Sequence, residues 1–174
     1  MKRKMSFVMA LILVVIVVLA GCNEAQPAPA EVPTPSAETI ASASGQFYYE
    51  ESSYTKEELI EYMQAYPYPA SVTIATVNED GSPNISIVIP GISEDGNYFV
   101  FGLADNRTAE NFIERELAVV AFYEYNPTAE DRADRNRGCR VIIKYPGAEV
   151  NEQLNEGRER PALFMEIVEI LPIG

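Results

Sequence analysis

The stretch ASVTIATVNEDGSPNISIVIPGISEDGNYFVFGL, residues 70–103, decides the fold class of this chain. It holds three runs rich in β-branched and aromatic residues, and each run is typical of a β-strand. The runs are residues 70–77, 84–89 and 98–103. Each of the two segments between them contains Asp-Gly, a dipeptide that supplies the positive φ of a tight turn. The pattern predicts an antiparallel meander of three strands joined by two turns.

Two helices are predicted on either side of this stretch. Thr55-Lys-Glu-Glu58 fits a capping box, in which the first and last side chains each bond a backbone N–H, and this helix should stop after Tyr66. Residues 105–116 (DNRTAENFIERE) predict a short helix with Phe112 and Ile113 on its apolar side.

The remaining elements complete a mainly β domain. Further strands are predicted at residues 117–125, 138–145 and 162–171, with a polar loop at 126–137 and a helical piece at 149–156. About six mostly antiparallel strands with short helices between them favour a small β-barrel over a parallel βαβ fold.

The N-terminus has the pattern of an export signal. Lys2, Arg3 and Lys4 precede an apolar run at 7–20, which is shorter than the roughly 20 residues of a membrane-spanning helix. The next residues, Leu19-Ala20-Gly21-Cys22, resemble the lipobox of bacterial lipoproteins, in which the cysteine is lipidated and becomes the first residue. An ordinary secretory signal with a stray cysteine, or a short membrane anchor, are the alternatives.

This resemblance implies an exported protein anchored by lipid to the outer face of the cytoplasmic membrane. We therefore divide the chain into a signal peptide at 1–22, a flexible linker rich in Pro, Ala and Ser at 23–46, and one folded domain at 47–174. The signal holds three of the 13 basic residues and none of the 26 acidic ones, so the mature chain has a net charge of about −16. That charge argues against nucleic acid as a partner, and against membrane contact other than through the lipid.

The rare residue types exclude several kinds of site. The chain has no His, which excludes a Ser-His-Asp triad and His-ligated zinc or haem, and we predict no metal site. With Cys22 lipidated, Cys139 is the only remaining thiol, and its setting predicts a half-buried small side chain rather than a nucleophile.

Residues 70–125 resemble the pyridoxamine 5′-phosphate oxidase-like, FMN-binding split-barrel family. The resemblance rests on an ordered set of features: a strand ending in Ala-Thr-Val77, an Asp-Gly-x-Pro83 turn, a second strand and Asp-Gly turn, a Tyr98-Phe run, and a helix that starts near Arg107 and Asn111. It implies a homodimer with FMN in each of two clefts at the interface, acting on a small molecule.

The resemblance also implies which residues contact FMN. The second strand, with Asn84, Ile85, Ser86 and Ile87, would run along the isoalloxazine ring and ribityl chain, and Gly102 and Leu103 would lie under the cofactor. Arg107 and Thr108 would hold the phosphate, with Asn111 close by, and Arg140 would be a polar residue near the cofactor. The residues alone favour a solvated loop cation for Arg107 and a plain helix cap for Thr108.

The chain departs from the family at the expected phosphate site. Glu110 stands where many members have Lys or Arg, and Thr108 replaces a second basic residue. Without His, oxidation of a vitamin B6 substrate is not expected. The sequence thus predicts a tethered, FMN-dependent oxidoreductase of unknown substrate and without an assigned catalytic residue. The alternative is a non-catalytic binding module on the same barrel, with a weakened or altered cofactor site.

Overall fold

A computed structural model describes residues 36–42, 50–65, 67, 71–102 and 105–172. The predicted signal, Cys22, most of the linker and Leu103 lie outside these ranges. The helices are α1 (Ala37–Ser42), α2 (Lys56–Gln64), α3 (Arg107–Arg115), α4 (Arg132–Arg135) and α5 (Ala148–Leu154). The strands are β1 (Ser71–Val77), β2 (Pro83–Ile87), β3 (Gly91–Ile92), β4 (Tyr98–Phe101), β5 (Leu117–Tyr125), β6 (Asn136–Lys144) and β7 (Leu163–Pro172). Within the described ranges, every helix is too short or too polar to cross a membrane.

The first long helix, α2, begins at the predicted capping box. The Thr55 side chain accepts a hydrogen bond from the Glu58 backbone N–H, and the Glu58 carboxylate accepts one from the Thr55 N–H. Leu59 and Met63 face the core and are buried. The helix ends at Gln64, two residues earlier than predicted.

The seven strands form one antiparallel sheet with the order β2-β1-β5-β6-β7-β4-β3. The predicted hairpin of β1 and β2 is confirmed, but the predicted three-strand meander is wrong. Strand β4 pairs with β3 and β7 instead of β2. Residues 88–90 end in Pro90, which has no N–H to donate to a strand ladder, and they carry the chain away from β2 before β3 begins.

The short connection between β2 and β3 shows that this sheet is curled. Strands β2 and β3 are its two edges, and in a flat sheet six strand spacings of about 4.8 Å would put them about 29 Å apart. The three residues between them can span only about 14 Å. The sheet therefore bends round until its edges approach, which makes a split barrel. The predicted mainly β, antiparallel fold class is confirmed, with the short β3 as an additional strand.

The interior of the barrel is filled by aromatic and branched side chains. Phe99, Phe101 and Phe122 are fully buried, and Phe112 brings α3 into the same core with its ring centroid 5.1 Å from that of Phe101. The prediction for Ile113 is wrong, because its side chain is 51 % exposed. Helix α3 lies against β1 and β2, and this contact positions the candidate site.

Candidate functional site

A cluster of polar side chains joins the edge strand β2 to the start of α3. Asn84 on β2 donates from Nδ2 to Thr76 Oγ1 on β1 at 2.9 Å and to Thr108 Oγ1 on α3 at 3.1 Å. Thr76 and Thr108 are both buried. The hydroxyl of Thr108 is thus directed at Asn84 inside the domain, and the structure brings these two site residues together.

Asn111 extends this cluster into the core. Its side chain is fully buried, and Nδ2 donates to Thr76 Oγ1 at 2.9 Å and to Asn78 Oδ1 at 3.0 Å. Thr76 and Asn78 also belong to this cluster, although neither was predicted as a site residue. One signal was present: Thr76 follows Val72 and Ile74 in the inward-facing phase of β1, so it is a polar residue at a core position.

The four residues assigned on β2 divide between the two faces of the sheet. Asn84 and Ser86 are paired with Thr76 and Ile74 and share their inward direction. Ile85 and Ile87 project from the opposite face and are 68 % and 81 % exposed. The Ser86 hydroxyl is buried without a hydrogen-bond partner among the described residues. The two pairs cannot contact the same face of a ligand within one chain.

The N-terminus of α3 is the expected phosphate site. Asn106 is the N-cap, and its Oδ1 accepts a hydrogen bond from the Ala109 N–H at 3.1 Å. Arg107 is exposed, and its Nη1 lies 2.7 Å from Glu110 Oε2 one turn further along the helix. The guanidinium already has a carboxylate partner, and the Thr108 hydroxyl is turned inward. These residues therefore fit a phosphate dianion poorly.

A nearby turn adds negative charge to this end of the helix. The Asp80 carboxylate accepts hydrogen bonds from the Ser82 hydroxyl and backbone N–H, at 2.6 and 2.9 Å. Those bonds chiefly lower the pKa of Asp80, and the positive charge of Arg107 contributes to the same lowering. Asp80 is thus ionised at neutral pH, and the positive charge of Arg107 helps to keep it so.

The two remaining assigned residues within the described ranges are Gly102 and Arg140. Gly102 follows β4, and a side chain added there would meet no atom within 4 Å. Arg140 is on β6, where its Nε donates to the Pro172 carbonyl at 3.0 Å. Strands β5 and β1 separate β6 from β2, so Arg140 and the edge strand are about 14 Å apart in one chain.

A buried thiol and an open cavity lie outside this cluster. Cys139 is fully buried rather than half-buried, and burial raises the pKa of its thiol to about 12. The thiolate needed for nucleophilic attack is therefore scarce at neutral pH.

Within the described ranges, no three His, Cys, Asp or Glu side chains are grouped to hold a metal ion. An open cavity of about 280 Å³ between Tyr54–Lys56 and Ile167–Ile170 contains none of the assigned site residues.

Several solved structures resemble this chain at low sequence identity. An FMN-binding protein from Syntrophomonas wolfei is 19 % identical over 68 % of this chain and 88 % of its own, with a TM-score of 0.46. An FAD-binding protein from Mesorhizobium loti is 14 % identical over 67 % of this chain and 92 % of its own, with a TM-score of 0.44. A candidate pyridoxamine 5′-phosphate oxidase from Lactobacillus delbrueckii is 16 % identical over 72 % of this chain and 99 % of its own, with a TM-score of 0.42. No family model and no curated protein matches the sequence.

Proposed function

We propose that this chain is an exported, lipid-tethered protein whose split barrel binds a flavin and uses it to oxidise or reduce a small molecule. The tether is the acylated Cys22, and the linker at 23–46 holds the domain away from the membrane surface. The domain works as a homodimer, with a flavin in the cleft beside each β2 edge.

One observation carries the proposal: the outer side of β2 is apolar and exposed, while its inner side is polar and tied to α3. Ile85 and Ile87 are 68 % and 81 % exposed, and covering an isoleucine side chain is worth about 1.5–3 kcal/mol. In the described part of the chain, β2 pairs only with β1, which leaves the backbone groups of its other edge for a ligand or a second copy. A flat aromatic ring and a second subunit are the kinds of surface that cover such an edge.

The residues around this edge have distinct roles in the proposed site. Asn84 and Ser86 are on the inner side of β2 next to α3, and the Asn84 bonds to Thr76 and Thr108 hold this edge in place. Gly102 leaves open space at the end of β4, where a ligand can approach the backbone. A bound flavin supplies the hydride or electron chemistry, and the protein orients it and limits its contact with water.

The geometry also favours a second candidate function, a binding module without turnover. Cys139 is buried with a pKa of about 12, and the guanidinium of Arg107 already pairs with Glu110. At the N-terminus of α3, the positive charge of Arg107 is thus already compensated by a carboxylate. A module of this kind would hold or carry a flavin without turnover.

The deciding experiment measures flavin binding by the full chain purified in a mild detergent. Flavins with and without a phosphate are added separately, and quenching of flavin fluorescence and the change in Tm are recorded. We expect saturable quenching and a rise in Tm with at least one flavin. A chain that quenches neither flavin and keeps its Tm does not have the proposed function.

Turnover is tested on the flavin-loaded chain. Repeated reduction by an added two-electron donor and reoxidation by oxygen or a quinone would support the oxidoreductase. A flavin that binds but resists this cycle would support the binding module.

A further inference from the structure

The charges at the N-terminus of α3 indicate which flavin the proposed site takes. We propose that it selects a flavin whose ribityl chain ends in a neutral hydroxyl, riboflavin, over one that ends in a phosphate, FMN. This inference rests on the proposed function and defines its ligand more closely.

Charge balance is the first argument. Residues 105–110 carry the carboxylates of Asp105 and Glu110 and the guanidinium of Arg107, whose charge also lowers the pKa of Asp80. Asp80, Asp105 and Glu110 are all exposed, so a ligand that reaches Arg107 also meets the field of the carboxylates. A phosphate brings close to two further negative charges. Each like charge about 6 Å away in water-like surroundings weakens binding about threefold.

Opening of the Arg107–Glu110 ion pair would not remove the repulsion between the Glu110 carboxylate and a phosphate. Both side chains are more than half exposed, and exposed ion pairs are weak, so a phosphate could displace Glu110 from the guanidinium. The displaced carboxylate would still be one helical turn away, because residues three apart are neighbours on a helix surface. Its repulsion would persist after the pair had opened.

Hydrogen-bond donors are also partly used at this end of the helix. The Asn106 side chain accepts from the Ala109 N–H, and Thr108 Oγ1 accepts from Asn84 Nδ2 inside the domain. Phosphate sites at helix N-termini depend on free N–H groups together with positive charge, and this terminus has one backbone N–H already capped and no net positive charge. A sugar-alcohol hydroxyl has the opposite needs, since it carries no charge and can both donate and accept a hydrogen bond.

The test compares the dissociation constants of riboflavin and FMN for the full chain in detergent, measured by fluorescence titration at low and high salt. We expect riboflavin to bind about threefold to tenfold more tightly at low salt, with a smaller ratio at high salt because screening weakens the repulsion. Glu110→Gln should tighten FMN about tenfold and leave riboflavin within about twofold.

Glu114→Gln is the matched control. It makes the same charge change on the same helix about 6 Å further from the N-terminus, and both glutamates are exposed. It should change neither constant more than about twofold. FMN binding as tight as or tighter than riboflavin, or an equal effect of Glu110→Gln on both flavins, overturns this inference but leaves the proposed function standing. Binding of neither flavin overturns the proposed function, and this inference with it.

Discussion

Asn111 on α3 and Thr76 on β1 are joined inside the domain by a hydrogen bond of 2.9 Å from Nδ2 to Oγ1. Thr76 Oγ1 also accepts from Asn84 Nδ2, so one hydroxyl oxygen connects the helix to both strands of the hairpin. A buried amide that loses its acceptor costs far more than the net gain of the bond it made. This arrangement therefore fixes the N-terminus of α3 relative to the edge strand, and the proposed site depends on it.

The first prediction concerns this hydroxyl. Thr76→Val keeps the shape of the side chain but removes the oxygen that accepts from Asn84 and Asn111, so we expect a loss of about 1–3 kcal/mol in the free energy of unfolding. Urea denaturation measures it. Thr73→Val is the control, because Thr73 is on the same strand and faces the other side of the sheet. Equal stability of the two variants would contradict the role given to Thr76.

A second prediction concerns Gly96 in the turn between β3 and β4. Its φ is +70°, and an added Cβ would lie 2.6 Å from Ile60 Cδ1 on α2. Gly96→Ala should therefore destabilise the fold by about 1–2 kcal/mol through backbone strain and overpacking. Gly102→Ala is the control, since open space surrounds that position. If Gly96→Ala were as stable as Gly102→Ala in thermal unfolding, the close packing of α2 on this turn would be wrong.

Alkaline pH should destabilise the domain through Tyr54 and Cys139. Burial is the main cause that raises the pKa of each group to about 12, and the Glu124 carboxylate adds to the effect on Tyr54. Both groups bind their protons more tightly when folded than when unfolded. Their contribution is thus complete below about pH 9 and is lost as the pH rises from there to about 12.

Tyr54→Phe checks the alkaline prediction. Phenylalanine keeps a ring beneath the Arg137 guanidinium, which lies 4.4 Å from the Tyr54 ring centroid, but it has no proton to lose. Urea midpoints measured from pH 8 to 11 should therefore fall less steeply for the variant than for the unaltered chain. Parallel curves would show that Tyr54 does not titrate in this range.

The proposed dimer makes a prediction about the exposed edge. Ile87→Glu should change the stability of a single barrel by less than about 0.5 kcal/mol, because the side chain is 81 % exposed. It should nevertheless convert dimers to monomers, since it places a charge in the interface. Light scattering after gel filtration in detergent gives the mass. Val168→Glu on β7 is the control, and a dimer that survives Ile87→Glu would place the interface elsewhere.

The lipid tether is tested at Cys22. Cys22→Ala should abolish incorporation of labelled palmitate and remove the chain from the membrane fraction, because no other residue would carry the acyl chains. Cys139→Ala should keep both the label and the membrane location. A labelled Cys22→Ala chain would refute the assignment of the lipobox.

Features that depend on neighbouring residues were determined by the sequence itself. The capping box at Thr55 and Glu58, the positive φ of Gly81 and Gly96, and the bounds of β5 at Leu117–Tyr125 all agree with prediction. The reason is that caps, turns and strand periodicity are set by contacts a few residues apart. The pairing of Arg107 with Glu110 is of the same kind, because residues three apart on a helix face each other.

Only the tertiary structure decided which strands became neighbours and which faces were covered. The sequence placed β4 beside β2, but closure of the barrel paired β4 with β7, more than 60 residues further along the chain. That same closure buried Phe112 and left Ile113 exposed, and it turned the hydroxyl of Thr108 towards Asn84 instead of solvent. Pairing between distant strands depends on packing of the whole core, and no local pattern in the sequence encodes it.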